Sequence, residues 1–233
     1  MMPHQAHNPP QRLRKKYEAV APSLPVAKYW GMVEWFDETV GDLLTHLDDE
    51  GLADNTIVVY VADNGWITNP QTGEAAPRSK QSQYDGGLRT PIMIRWPGHA
   101  KPGRSESLAL SLDITPTLLA AAGLKPTPDM QGFNLLDDKA VEERKALFGE
   151  CFTHNSRDLG HPVASLRWRW MIARERDGIW KLIVPDSSNE PDSAAELYNL
   201  TDDPFEKHNL AANESDRVES MRSKINAWWP ASK

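Results

Sequence analysis

The sequence has little of several features that mark common protein classes. It contains one cysteine, Cys151, among 233 residues, which excludes an internal disulfide and a cluster of thiolate metal ligands. No apolar run approaches the roughly 20 residues that span a bilayer, and residues 1–10 have no apolar core resembling a signal peptide. We therefore expect no membrane span, and the cellular compartment stays open.

Positive charge is also scarce. The formal net charge is -7 and the pI is about 5.5, and no basic stripe is present to neutralise phosphates, so we expect no nucleic-acid partner. Hydrophobic residues make up 39% of the chain, which permits a sizeable core, whereas 18 Pro and 14 Gly indicate many loops. The chain is expected to be globular.

One apolar run ends in two oxygen-bearing side chains. Residues 56–62 are followed directly by Asp63, Asn64 and Gly65. A β-branched run of this length is typical of a strand buried on both faces, as in a parallel α/β sheet. Ligand sites in such sheets lie at the carboxyl ends of strands. The pattern therefore predicts that Asp63 and Asn64 lie at a functional edge.

The elements around this run fit an α/β region. Apolar residues at three- and four-residue spacing predict a helix over about 27–50 that stops at Gly51. One short helix is expected before residue 21, and a second strand over 91–96. Thr115 followed by proline predicts the N-cap of a helix that ends at Gly123. The α/β part is expected to close near residue 138.

The rest of the chain has a different pattern. Aromatic and β-branched segments at 146–153, 165–173 and 179–184 predict an antiparallel sheet, and a helix over about 214–228 is expected to cover it. The fold class is therefore α/β with flanking helices, followed by a small antiparallel sheet packed by a helix. We expect two domains, 1–138 and 139–233.

A series of motifs runs in order through nearly the whole chain. It comprises residues 29–34 and 37–41, Asp63-Asn64-Gly65, Lys80, residues 84–91, Trp96-Pro97-Gly98, residues 113–117, residues 196–200, and Asp203-Pro204. This series closely resembles the type I sulfatases of the alkaline-phosphatase superfamily. The resemblance implies hydrolysis of sulfate esters by a formylglycine nucleophile beside a divalent cation, usually calcium, with magnesium possible.

The resemblance assigns roles to particular residues. Asp63 and Asn64 match metal ligands of the family, and their oxygens are hard donors suited to such cations. Lys80 matches a lysine that contacts the sulfate group, where an ammonium stabilises charge on the transferring group. The alternatives are an Asx turn for Asp63-Asn64 and a solvated loop position for Lys80. Asp85 is expected to have a structural role, and Cys151 to be a small core residue.

His4 is the third catalytic candidate. It resembles a family histidine that is followed two residues later by proline and protonates the leaving oxygen, work that suits an imidazole near neutral pH. Here Ala6 occupies the proline position and His7 lies nearby, so a plain loop histidine is the alternative. Of the two histidines, we choose His4.

The family nucleophile lies in a Cys/Ser-x-Pro-x-Arg motif, which this chain lacks. The nearest pattern begins at Ser23 and has Ala27 where arginine is required. The acidic ligands from the family's first strand are absent too, so Asp63 and Asn64 form about half of a calcium shell of six to eight oxygens. We expect a C-terminal portion of a sulfatase, inactive alone, with formylglycine in an upstream segment.

Two alternatives stay open at this point. The first is a phosphodiesterase or phosphonate hydrolase of the same superfamily, and the second is a noncatalytic binding module. The expected partner is a sulfated small molecule or carbohydrate. Many relatives are periplasmic or secreted, but neither the localisation nor the oligomeric state follows from the sequence.

Overall fold

The computed structural model describes residues 2–229. The chain divides into two compact units, one formed by residues up to 80 together with 86–102, and one formed by 81–85 together with residues from 103 onward. This division reflects contacts within the folded chain and does not test the predicted domain boundary between residues 138 and 139, which stays a prediction. Within the described residues, no helix combines the length and the apolar character needed to cross a bilayer.

The first unit is built around one long helix. Helix α1 covers Gln11–Glu18 and helix α2 covers Leu24–Asp49. The Ser23 hydroxyl caps α2 by accepting a hydrogen bond from the Val26 amide at 3.5 Å. Gly51, with φ +68°, ends the helix as predicted, because a residue without a Cβ adopts this left-handed conformation freely.

The two strands of the first unit form a small antiparallel sheet. Strand β1 (Val58–Val61) pairs with β2 (Ile92–Arg95), and Tyr60 contacts Phe36 of α2 with ring centroids 5.6 Å apart.

The expectation that this run is buried on both faces of a parallel sheet is wrong for the described residues. Strand β1 is half-buried, with Val61 39% exposed. An apolar run makes burial favourable, but burial also requires neighbours on both faces, and within residues 2–229 β1 pairs only with β2.

The second unit contains most of the regular structure. Helix α3 (Asp85–Leu88) begins in it and continues into the first unit. The remaining elements are α4 (Ile114–Ala121), α5 (Asp138–Glu142), β3 (Ala146–Phe152), β4 (Leu166–Glu175), β5 (Gly178–Pro185), β6 (Glu196–Asn199) and α6 (Ser215–Trp228). Single 3-10 turns lie at Ala53–Asn55, Ser111–Asp113 and Pro162–Ser165.

The sheet of the second unit is antiparallel in the order β3-β4-β5-β6, and α6 packs on one face. The buried cluster between sheet and helix consists of Met171, Ala173, Trp180, Leu182, Val184, Leu197, Met221 and Ile225. The predicted sheet and its covering helix are confirmed. Strand β6 was not predicted, because its four residues are too short for a clear alternating pattern.

Helix α4 starts earlier than its sequence indicates. Asp113, not Thr115, occupies the N-cap position. The buried Asp113 carboxylate accepts hydrogen bonds from the amides of Leu110 at 2.7 Å and Phe133 at 2.8 Å, and it pairs with Arg144 through two contacts of 2.6 Å. The predicted cap is wrong because this long-range pairing fixes the chain before Thr115.

Candidate active site

Asp63 and Asn64 follow the end of β1, as expected. Asp63 Oδ1 accepts a hydrogen bond from the Asn64 amide at 3.0 Å, and Asn64 Nδ2 donates to the Gly65 carbonyl at 2.9 Å. Asp63 Oδ2 and Asn64 Oδ1 accept no hydrogen bond from the part of the chain that the structure describes. These two oxygens are therefore available to a cation.

Glycines let three backbone segments meet beside this pair. The Gly65 amide donates to the Gly87 carbonyl at 2.8 Å. A Cβ on Gly65 would lie 2.2 Å from the Gly86 carbonyl oxygen, and one on Gly86 would lie 2.4 Å from the Arg78 carbonyl oxygen. Any larger residue would force these segments apart. The residues after β1 are thus held next to the loop that leads to Lys80.

The loop over residues 66–80 folds back on itself. Thr68 and Ala75 form an isolated antiparallel bridge, and the buried Ser79 hydroxyl accepts a hydrogen bond from the Ile67 amide at 2.6 Å. Ile67 lies two positions after Gly65, and Ser79 directly precedes Lys80. This contact therefore brings the end of the loop back to its beginning.

Lys80 and His4 are brought together across 76 residues. Lys80 Nζ lies 3.4 Å from His4 Nε2. His4 Nδ1 lies 2.6 Å from the Gln5 carbonyl oxygen, a contact that requires Nδ1 to donate. The neutral tautomer with its proton on Nδ1 leaves the Nε2 lone pair free to accept from the ammonium.

The segment that carries His4 is anchored to the same loop. Gln5 Nε2 donates to the Gly73 carbonyl at 3.1 Å, and the His7 ring contacts Tyr29 at 5.2 Å and Trp66 at 5.6 Å between centroids. His4 is therefore fixed both by its contact with Lys80 and by its neighbours in the sequence.

The contacts separate the two candidate histidines. His7 is half-buried among aromatic rings, and burial lowers its pKa, although a backbone hydrogen bond at Pro3 acts in the opposite direction. His7 is followed two residues later by Pro9, the spacing of the family histidine, whereas His4 has Ala6 at that position. Spacing alone would favour His7, whereas the contact with Lys80 belongs to His4.

Within the described residues, the pair Asp63 and Asn64 is not in direct contact with the pair Lys80 and His4. Across residues 2–229, no hydrogen bond joins Asp63 or Asn64 to Lys80 or His4, and no group of three or more His, Cys, Asp or Glu side chains is placed to hold a metal ion. One carboxylate and one amide supply the right kind of donor for calcium or magnesium, but only part of a coordination shell.

Asp85 has the structural role that was predicted, in the second unit. Its Oδ1 lies 2.7 Å from Lys181 Nζ, and the same ammonium lies 2.7 Å from Glu206 Oε1. Glu206 Oε2 also accepts a hydrogen bond from the Asp85 amide at 2.7 Å. Burial raises the pKa of the Glu206 carboxyl, and the pairing with Lys181 opposes this effect.

The sequence had not indicated Lys181 or Glu206 as partners of Asp85. The only available signal was a lysine in the apolar strand β5, where an unpaired ammonium would be costly. Cys151 is half-buried in β3, and burial raises the pKa of its thiol. This disfavours the thiolate that a nucleophile needs. The predicted place in the core is wrong, since Cys151 is only half-buried at the margin of the sheet.

Family comparisons agree with the motif series. A family profile described as Sulfatase matches residues 1–124, more than half of the chain. The chain belongs to the sulfatase family. A second profile, described as N-sulphoglucosamine sulphohydrolase, C-terminal, matches residues 73–228. The predicted membership of the type I sulfatases and the alkaline-phosphatase superfamily is confirmed.

Individual relatives of this sulfatase-family chain are sulfatases by name. It is 29% identical to a sulfatase of Formosa agariphila over 93% of this chain and 42% of that protein. It is 27% identical to the N-acetylgalactosamine-6-O-sulfatase of Bacteroides thetaiotaomicron, over 79% of this chain and 38% of the relative. These names favour a sulfatase over a phosphodiesterase, a phosphonate hydrolase or a noncatalytic module.

A solved structure shares the fold. The crystal structure of Ps i-CgsB in complex with k-i-k-neocarrahexaose superposes with a TM-score of 0.74 at 23% identity, covering 99% of this chain and 49% of that one. The predicted α/β fold class is confirmed. This sulfatase-family chain spans less than half the length of each of these three proteins.

Proposed function

We propose that this chain is the C-terminal portion of a sulfatase and contributes metal-binding and sulfate-binding residues to the hydrolysis of sulfate esters. Its coverage of the two relatives, 42% and 38% of their lengths, supports this, and so does the match to a profile described as C-terminal. The 233 residues contain no Cys/Ser-x-Pro-x-Arg motif. We infer that the chain is inactive by itself and that the formylglycine nucleophile lies upstream.

The observation that carries the proposal is the contact between Lys80 and His4, at 3.4 Å. A compact ammonium stabilises negative charge that develops on a sulfuryl oxygen and on the leaving oxygen. Imidazole is a common general acid, and once protonated His4 can give a proton to the departing alkoxide. The pair is thus proposed to supply charge stabilisation and the proton that the leaving oxygen takes up.

Asp63 and Asn64 are proposed as ligands of a calcium ion, with magnesium as the second choice. The donor set fits, since Asp63 Oδ2 and Asn64 Oδ1 are oxygens left free by the local hydrogen bonds within the described chain. A bound divalent cation supplies positive charge that polarises a sulfate oxygen. Because calcium takes six to eight oxygens, this chain alone is expected to bind it only in the millimolar range.

The substrate is proposed to be a sulfated carbohydrate or a smaller sulfate ester. The name of one relative contains N-acetylgalactosamine, and a protein of the same fold was crystallised with a carbohydrate. These names support the class of substrate, and the position of the sulfate group stays open.

The proposal is tested first on the chain as it stands. Aryl sulfate in the presence of calcium is expected to give no turnover above background, and clear turnover would contradict the inference of a missing nucleophile. The genomic sequence that precedes Met1 is expected to encode Cys/Ser-x-Pro-x-Arg in the same frame.

Sulfate recognition is tested by NMR titration of the chain with inorganic sulfate. Shifts are expected at the side chains of Lys80 and His4, and Lys80→Ala should abolish the shift at His4. Lys101→Ala is the matched control, since Lys101 is an exposed lysine of the same unit. In a polypeptide extended with the upstream motif, Lys80→Ala is expected to lower kcat by about 10²–10³.

A further inference from the structure

The turn between β4 and β5 borders an open cleft in the second unit. Its volume is about 590 Å³, and its lining consists of Lys145, Arg174, Glu175, Arg176 and Asp177. We call these five residues the hairpin cleft. None of them belongs to the motif series or to the proposed sulfate-transfer site.

The two acidic residues of the hairpin cleft share one cation that the fold supplies. Arg217 of α6 forms an ion pair with Glu175, and its Nη2 lies 2.7 Å from Asp177 Oδ2. The guanidinium also lies 3.9 Å from the centroid of the Trp180 ring, and the Arg217 side chain is 17% exposed. Arg217 Nε also lies 3.3 Å from Glu214 Oε2, so this stacked guanidinium offsets only part of the negative charge beside the cleft.

The three basic residues lack such compensation. Arg174 Nη2 donates to the Glu106 carbonyl oxygen at 2.8 Å, a neutral acceptor. The Glu106 carboxylate is occupied by Arg104 at 2.8 Å. Among the ion pairs of the described residues, none includes Lys145, Arg174 or Arg176. The cleft therefore presents three cationic groups, all on exposed residues, in a chain whose formal net charge is -7.

We propose that the hairpin cleft binds a sulfate group of a sulfated carbohydrate. Arginine guanidinium groups match the planar face of an oxyanion, and cations converging on one cleft concentrate the field. The cleft is open, which suits contact with one group of a larger ligand. The choice of a sulfated carbohydrate among polyanions rests on the proposed sulfatase function.

The test uses sucrose octasulfate, a soluble sulfated carbohydrate, and isothermal titration calorimetry on the full chain at low salt. The wild-type chain is expected to bind it, with NMR shifts at the amides of residues 174–178. The charge-neutral triple variant is expected to bind at least about tenfold more weakly, since each lost cation removes an ion contact. Its changes are Lys145→Gln, Arg174→Gln and Arg176→Gln.

A second triple variant controls for net charge. It carries Lys125→Gln, Lys207→Gln and Lys224→Gln, three exposed lysines of the same unit outside the cleft. It is expected to lose less than about threefold in affinity, because its change of total charge is identical but lies away from the cleft. Equal losses in both variants, or no loss in the first, would overturn the proposal.

Two further controls test whether the cleft variant is still folded and whether the cleft prefers a sulfated carbohydrate to another polyanion. Thermal unfolding must be unchanged in the cleft variant; if it is not, the single variant Arg176→Gln in the turn replaces it, with a loss of at least about twofold expected. Single-stranded DNA of matched charge is expected to bind more weakly than sucrose octasulfate, and equal binding would overturn the assignment to carbohydrate.

This outcome is separable from that of the proposed function. Lys80→Ala is expected to leave the shifts at residues 174–178 unchanged while it abolishes the response of His4 to inorganic sulfate. Failure of the His4 response alone contradicts the sulfate-transfer proposal, and failure at residues 174–178 alone contradicts the hairpin-cleft proposal.

Discussion

The two units of the molecule differ in how deeply the side chains compared below are buried and in how their polar residues are held. In the second unit, Leu182, Met221 and Ile225 are fully buried, and Lys181 is equally inaccessible between two carboxylates. In the first unit, Val33 is 42% and Met93 58% exposed. The first unit fixes its candidate catalytic residues through close backbone approaches at glycines and through a few side-chain contacts.

The second unit is expected to contribute mainly to stability, and the first unit carries the proposed catalytic residues. The second unit has a dense core that stabilises its sheet, whereas the loops carrying Asp63, Asn64, Lys80 and His4 are held by hydrogen bonds near the surface. Loops on a stable scaffold commonly carry function. Substitutions in the second unit are thus expected to act mainly on unfolding, and those in the first mainly on the site.

The largest effect is expected from Lys181→Ala in the second unit. Removing the ammonium leaves Asp85 and Glu206 as two buried carboxylates without their shared cation, a change that costs about 3–5 kcal/mol. Urea denaturation measures the free energy of unfolding. Lys207→Ala, at an exposed position, is the control, and a similar value for both variants would show that the buried triad contributes nothing.

A matched pair of core substitutions tests the comparison directly. Met221→Ala, at a position 0% exposed, is expected to cost about 2–5 kcal/mol because it leaves a cavity beside the sheet. Val33→Ala, at a position 42% exposed, is expected to stay within about 0.5 kcal/mol of the wild type. Both free energies of unfolding are measured by urea denaturation. Equal losses in the two variants would contradict the difference proposed between the units.

Gly65→Ala tests the close approach in the first unit. The added Cβ would lie 2.2 Å from the Gly86 carbonyl oxygen, so overpacking is expected to cost about 1–3 kcal/mol. NMR should show the amides of Asp63 and Asn64 shifting.

Gly41→Ala is the control for this substitution. A Cβ there meets no atom within 4 Å, and alanine in the middle of α2 is expected to stabilise the chain by about 0.5–1 kcal/mol. Unchanged amides of Asp63 and Asn64 in Gly65→Ala would mean that this approach does not shape the site.

The smallest effect concerns the pH dependence of the first unit. Burial lowers the pKa of His7 below the usual 6.5, so the unfolded chain takes up a proton at this group before the folded chain does. Its contribution to stability is full above pH 6.5 and declines as the pH falls below that value. His7→Phe keeps an aromatic ring and should remove this part of the decline. Identical pH profiles of unfolding for both proteins would contradict the assignment.

Much of the fold follows from local pattern. The helical spacing of Val33, Phe36 and Val40 predicts α2, and Gly51 marks its end, because both signals lie within a few turns of chain. The antiparallel sheet and α6 are predicted in the same way. The half-burial of β1 is not predictable, since it depends on which strands lie beside it.

The candidate site, like the fold, is predicted from the sequence only in part. Motif spacing selects Asp63, Asn64 and Lys80, and residue type gives their chemistry as hard oxygens and a compact cation. The spacing to the following proline favours His7 over His4. The contact with Lys80, 76 positions away in the sequence, belongs to His4.

The sequence by itself determined the family, the main helices and the kinds of donor and charge available, because these depend on residue type and short spacing. Tertiary structure alone decided that Lys80 meets His4, that Lys181 joins Asp85 to Glu206, and that Arg217 pairs with the acidic residues of the hairpin cleft. The physical reason is that each contact links residues tens of positions apart. Its formation depends on the path of the whole chain, which no local pattern specifies.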